Sequence, residues 1–161
     1  MAFVRVKKIA NKEYAYLVEN FWTPQGSRQK TKKYLGRMLS LSITKEVHYN
    51  NISGNYNKII GMLILKEIEK RGFINGFHHE NEVKFDESGF RLTKGKKNVV
   101  IKSNEGFLCE HTCNELLNFK PEHIKFEAQL ANLLLESGIG MPPEVFVIVY
   151  EAAKKRLIKK E

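Results

Sequence analysis

Residues 12–37 read Lys12-Glu13-Tyr14-Ala15-Tyr16-Leu17-Val18-Glu19-Asn20-Phe21-Trp22-Thr23-Pro24-Gln25-Gly26-Ser27-Arg28-Gln29-Lys30-Thr31-Lys32-Lys33-Tyr34-Leu35-Gly36-Arg37. Two stretches rich in aromatic and basic residues flank a segment that carries both Pro and Gly, the residues with which chains reverse direction. Residues 14–22 and 28–35 are therefore expected to pair as an antiparallel hairpin. Upstream, Phe3-Val4-Arg5-Val6-Lys7-Lys8 alternates as well, and the polar residues 10–13 leave room for a second connection. The reading is a three-stranded antiparallel meander. Successive side chains of a strand point to opposite faces, so regular alternation puts Arg28, Lys30, Lys32 and Tyr34 on one face of the third strand. Gln29, Thr31, Lys33 and Leu35 then fall on the other. The expected product is a sheet with one basic, aromatic face.

Beyond the meander, residues 39–55 hold Ser, Thr, Asn and Gly with weak periodicity and read as a connector with room for a short helix. Residues 57–71 place Ile60, Leu63, Ile64 and Ile68 at helical spacing, and Gly72 can stop the helix. Residues 83–85, 90–93 and 99–102 read as short strands of a small second sheet, separated by Ser88-Gly89 and Lys94-Gly95-Lys96-Lys97. Helical spacing returns over 109–119 and 122–136, with Pro121 placed to open the second of these. A last helix over 144–158 follows Pro142-Pro143, with Val145, Phe146, Val149, Ala153 and Leu157 forming its stripe. The fold class is α+β: an N-terminal three-stranded antiparallel sheet, a central helix, a small second β-sheet and a C-terminal group of about three helices. Residues 1–38 are the basic β module, 39–56 the connector and 57–161 the α+β body.

At 161 residues, 42% hydrophobic and 28% charged, the chain can fill its own core and lacks the signature of disorder. No apolar run approaches the roughly 18–20 residues of a membrane helix, and the opening residues alternate charge with apolarity, so a cytoplasmic, non-membrane protein is expected. Cys109 and Cys113 are too few and too close for a secreted disulfide framework. Charge is the remaining bulk feature, at +9 with a pI near 9.5. It is segregated: residues 1–45 hold ten basic groups against Glu13 and Glu19, residues 46–153 hold twelve against fifteen, and residues 154–161 hold five against Glu161. A basic module on a near-neutral body points to a polyanionic partner.

Cations neutralise phosphates and rings interleaved with them stack on exposed bases. On that chemistry the candidate nucleic-acid-binding residues are Arg5, Lys7, Tyr16, Arg28, Lys30, Lys32, Lys33, Tyr34 and Arg37, with the C-terminal basic tail assisting. The competing reading of the aromatics is that they cover a thin sheet with little other core. The run Tyr14-Ala15-Tyr16-Leu17-Val18-Glu19, then a Gly-containing turn, then Arg28-Gln29-Lys30 and Lys33-Tyr34-Leu35-Gly36, resembles the N-terminal segment of insertion-sequence transposases of the three-carboxylate (DDE) type. A similar segment opens some prokaryotic Fic-domain proteins. The resemblance covers about residues 3–37, less than a quarter of the chain. It implies a basic hairpin module that contacts DNA, which favours DNA over RNA, and it carries no catalytic residues with it: these 161 residues hold neither a transposase catalytic domain nor the His, Pro, Gly and Arg signature of a Fic site.

No catalytic residue, cofactor or metal ligand is assigned, and the expected function is non-enzymatic. Cys109, His111 and Cys113 lack the second ligand pair of a structural zinc site, and the two cysteines read as core residues. Lys94-Gly95-Lys96-Lys97 lacks the other glycines and the Ser/Thr of a phosphate loop. Two alternatives stand beside nucleic-acid binding. One is a metal-dependent nuclease using carboxylates among Glu80, Glu82, Asp86 and Glu105 with Lys102, although Val100 stands where such enzymes place an acidic residue. The other is a protein–protein adaptor or homodimer using the C-terminal helices.

Overall fold

The computed structural model of the chain describes residues 2–158, so Lys159 and Lys160 of the basic tail lie outside the described residues. The meander forms as strands β1 (Ala2–Ile9), β2 (Lys12–Thr23) and β3 (Gly26–Ser40). Ala10 and Asn11 join the first two, both with positive φ (51° and 64°), the two-residue connection whose twist matches that of the strands it joins. At the second turn, the Thr23 hydroxyl donates to the Gly26 carbonyl and accepts from the Gln25 amide, which holds the Pro24-Gln25 reversal. Helix α1 (Tyr56–Lys70) follows the connector, and no helix forms in residues 41–55. The Asn55 side chain caps its start by accepting from the Lys58 amide, and Gly72 (φ 90°) ends it.

The second group of strands is β4 (Phe77–His78), β5 (Val83–Asp86), β6 (Arg91–Lys94), β7 (Lys97–Ser103) and β8 (Gly106–Leu108). Strands β4 and β8 are too short to show alternation, and the sequence reading assigns no strand to either. Three helices complete the chain: α2 (Glu110–Leu117), α3 (Glu127–Glu136) and α4 (Pro143–Ile158). Helix α3 starts later than Pro121 suggests, because the chain sends Phe126 into the core before it winds up. The α+β class therefore holds, with one refinement to the second sheet. Residues 37–40 of β3 run parallel to residues 99–102 of β7, so the two groups of strands share one eight-stranded sheet among the described residues, ordered β1-β2-β3-β7-β6-β5-β4 with β8 beside β7. The ladder thus crosses residue 38, where composition marks the edge of the basic module.

Both faces of the sheet are covered at β7 and neither is covered at the tip of the β2–β3 hairpin. Val99 and Ile101 join Ile60, Leu63 and Ile64 of α1 and Cys113, Leu130 and Val149 of the other helices in the main core. Val100, on the opposite face, packs with Ala15, Leu35 and Cys109 in a smaller cluster flanked by Val4, Leu17 and Phe107. The α4 stripe is spent inside the chain, with Val145, Val149 and Ala153 buried. Arg156 leaves the basic run for the interior: its guanidinium donates to the Leu117 and Phe119 carbonyls at the end of α2 (3.1 and 2.8 Å) and lies 4.1 Å from the Tyr56 ring.

Candidate nucleic-acid interface

The decisive local feature of the meander is a pair of irregularities in β3. Tyr16 pairs with Tyr34 while Ala15 pairs with Gly36, and Leu17 pairs with Lys33 while Val18 pairs with Thr31. Leu35 and Lys32 are the extra residues of two β-bulges, and each bulge shifts the alternation by one position. Directly paired residues share a face, so the register sorts the side chains. One face carries Phe3, Arg5 and Lys7 of β1, Lys12, Tyr14, Tyr16 and Trp22 of β2, and Gln29, Thr31, Tyr34 and Arg37 of β3. The contacts agree: Arg5 hydrogen-bonds Gln29, Lys7 lies 4.8 Å above the Tyr16 ring, and Tyr34 stands 5.1 Å from Tyr16 and 6.3 Å from Tyr14.

This arrangement corrects the expected grouping. Arg28, Lys30 and Lys33 pair with Phe21, Glu19 and Leu17 on the opposite face, and Lys32 bonds Glu19 there at 2.9 Å. The Lys32 ammonium, donating to Glu19, holds that carboxyl below its ordinary range. Of the nine sequence-predicted residues, Arg5, Lys7, Tyr16, Tyr34 and Arg37 come together, and Arg28, Lys30, Lys32 and Lys33 lie behind them. Glu13 and Glu19, the two carboxylates of the meander, both fall on the second face. The first face carries cations and rings and no carboxylate. Its residues form two neighbouring rows across the strands, Arg5–Tyr16–Tyr34 and Lys7–Tyr14–Arg37.

The parallel pairing extends the second row. Arg37 pairs with Val99, and Lys97, two residues earlier on β7, shares that side and pairs with Lys94. A cleft of about 520 Å³ opens where these elements meet, lined by Lys12, Tyr14, Tyr34, Arg37, Lys94 and Lys97 among others, with no acidic residue in its wall. Lys94 and Lys97 line this cleft, and the sequence reading did not group them with the meander. Their Lys-Gly-Lys-Lys hairpin is visible in the chain, yet only the β3–β7 ladder brings it beside the tyrosines. Tyr34 is half exposed at 50%, and burial of the remainder, reinforced by the Tyr16 and Tyr14 phenols, pushes its own phenol up. Trp22, 85% exposed, marks the far end of the same face.

The other face has the opposite electrostatics near the body. A cleft of about 450 Å³ there is floored by Val4, Leu17 and Phe107 and edged by Glu105, Glu115, Glu136 and His111, with no Lys or Arg in its wall. Of the residues named for a nuclease, Asp86 accepts from the Ser88 amide and hydroxyl in a turn, which lowers its carboxyl, Lys102 lies over the Phe107 ring at 5.6 Å, and Glu105 edges the acidic cleft. Among the described residues no three His, Cys, Asp or Glu side chains stand close enough to hold a metal ion. Cys109 and Cys113 are buried and unpaired, as expected of core cysteines. No described helix is long and apolar enough to cross a membrane. Set against protein-family models, curated proteins and solved structures, the chain matches none of them.

Proposed function

We propose that this protein binds nucleic acid through the carboxylate-free face of the β1–β3 sheet, contacting the phosphate backbone with little dependence on sequence. The observation that carries the reading is the sorting of charge by the sheet register: Arg5, Lys7, Lys12 and Arg37 gather on one face with Lys94 and Lys97 added beyond β3, while every acid of the meander is turned away. A solvated basic surface has no need to exclude its own carboxylates from one side. A polyanion track does, because each misplaced Glu repels a phosphate. The acidic cleft on the opposite face works in the same direction by disfavouring a strand there. The resemblance of residues 3–37 to the transposase hairpin segment favours DNA over RNA.

The test compares charge reversal on the two faces. Lys7→Glu with Arg37→Glu, and Lys30→Glu with Lys33→Glu, change net charge equally and are read by fluorescence anisotropy on labelled DNA and RNA across a salt series. The parent is expected to bind more weakly as salt rises, with a slope of about 0.7–0.9 per phosphate neutralised. The first pair flattens that slope and removes most of the affinity; the second changes affinity by about threefold or less through long-range charge alone. Equal losses from both pairs, or no salt-sensitive binding by the parent, would refute the proposal.

A further inference from the structure

Resting on the reading above, we infer that the ligand is a single strand and that the cleft between Tyr34 and the β6–β7 hairpin holds one of its nucleotides, base against the Tyr34 ring and phosphates on Arg37, Lys94 and Lys97. Three observations meet at this place.

The first is uncompensated charge. Lys12, Arg37, Lys94 and Lys97 line one cleft from the start of β2, the end of β3 and both sides of the β6–β7 turn, and among the described residues none of the four is in an ion pair. Like charges brought together by folding repel one another, and an anion seated between them relieves that repulsion. The second is concavity. Backbone phosphates of a duplex can be met by cations on a flat or convex surface, whereas about 520 Å³ of hollow space falls within the roughly 300–1,000 Å³ of sites that enclose a small-molecule-sized group. The third is the rings in its wall. Tyr34 leans on Tyr16 and Tyr14 at interplanar angles of 49° and 43°, so its neighbours brace it without stacking over it, and half of it stays open.

A ring presented this way matches a base face, and a duplex has none to offer because its base faces are already stacked on each other. Cations alone would serve a duplex; cations alternating with braced tyrosines in the rows Arg5–Tyr16–Tyr34 and Lys7–Tyr14–Arg37 serve a strand whose phosphates and bases alternate in the same way. At about 4.8 Å per strand, the path from β1 to β6 is roughly 19 Å wide, enough for a short run of nucleotides ending in the cleft.

The experiment measures anisotropy of a labelled strand of about 12 nucleotides, as DNA and as RNA, alone and annealed to its complement, against the parent, Tyr34→Leu, Tyr34→Phe and Lys94→Gln with Lys97→Gln. The single strand is expected to bind at least about tenfold tighter than the duplex, Tyr34→Leu to lose about ten- to a hundredfold on the single strand only, and Tyr34→Phe to stay near the parent. The Lys94→Gln, Lys97→Gln protein weakens single-strand binding and flattens its salt slope. The unmodified protein gives a readout that needs no ring removal: the Tyr34 ring resonances, assigned by their loss in Tyr34→Phe, shift on saturation with single strand and stay in place with duplex. Salt-sensitive binding that is equal for strand and duplex, with unmoved Tyr34 resonances, overturns this inference and leaves the phosphate-binding face standing. Absence of salt-sensitive binding to any of the four nucleic acids overturns the reading beneath it as well.

Discussion

Replacing Gly36 by Ala tests whether the close approach of β3 to β7 builds the basic cleft. Gly36 has φ +140°, and a Cβ there would stand 2.4 Å from the Asn98 carbonyl oxygen and 2.8 Å from its carbon. Neither atom can swing aside, since Asn98 pairs with Thr93 and the following residue pairs with Arg37. The left-handed conformation costs a non-glycine residue roughly 1–2 kcal/mol, and forcing a methyl into packed backbone costs roughly 1–3 kcal/mol more. The sum, about 2–5 kcal/mol, is a large share of the roughly 5–15 kcal/mol that holds a domain folded. With a urea dependence of about 2 kcal/mol per molar, the unfolding midpoint should fall by about 1–2.5 M. Gly95→Ala is the matched control: φ is +62° and no heavy atom lies within 4 Å of the added Cβ. It should cost only the backbone term, about 1–2 kcal/mol or 0.5–1 M of urea. Midpoints for the two variants within about 0.3 M of each other would refute the claim that β3 and β7 pack this closely at Gly36.

Two further outcomes follow from groups turned inward. Arg156→Ala removes both carbonyl bonds at the end of α2 and the contact over Tyr56, costing about 2–4 kcal/mol; calorimetry should show Tm lower by about 5–10 °C, while exposed Lys155→Ala changes it little. Burial pushes the Cys109 and Cys113 thiols up, against smaller lowering contributions from hydrogen bonds to Thr112 and, at Cys113, to Cys109. Because the neutral thiol is favoured until the pH climbs above the ordinary cysteine value, native protein at about pH 8 should leave a disulfide reagent unreacted and release two equivalents only in denaturant. Prompt native reaction of either would show that the region around β8 and α2 is open.

Much of the architecture is legible in the chain because it rests on local signals. The turn at Thr23–Gly26, the Gly72 stop of α1 and the Pro143 start of α4 each act within a few residues, so composition and spacing suffice to place them. Charge segregation is legible too, as is the presence of a basic, aromatic meander. What a face carries is another matter. Alternation assigns Tyr34 to the side of Lys30 and Lys32, and one extra residue at Lys32 reverses that assignment for everything between it and the next bulge. Bulges are settled by how β3 satisfies hydrogen bonds to β2 while bending toward β7, and no single residue type announces them.

The sequence by itself determined the main helices, the longer strands and the basic meander, since propensity, turn chemistry and composition act through neighbours along the chain. Only the tertiary structure decided which cations share a side with which rings, and that Lys94 and Lys97 stand beside Tyr14, Tyr34 and Arg37. The physical reason is range: a parallel ladder between residues 37–40 and 99–102 joins segments with no local dependence on each other. The resulting cleft belongs to that pairing rather than to any stretch of the chain.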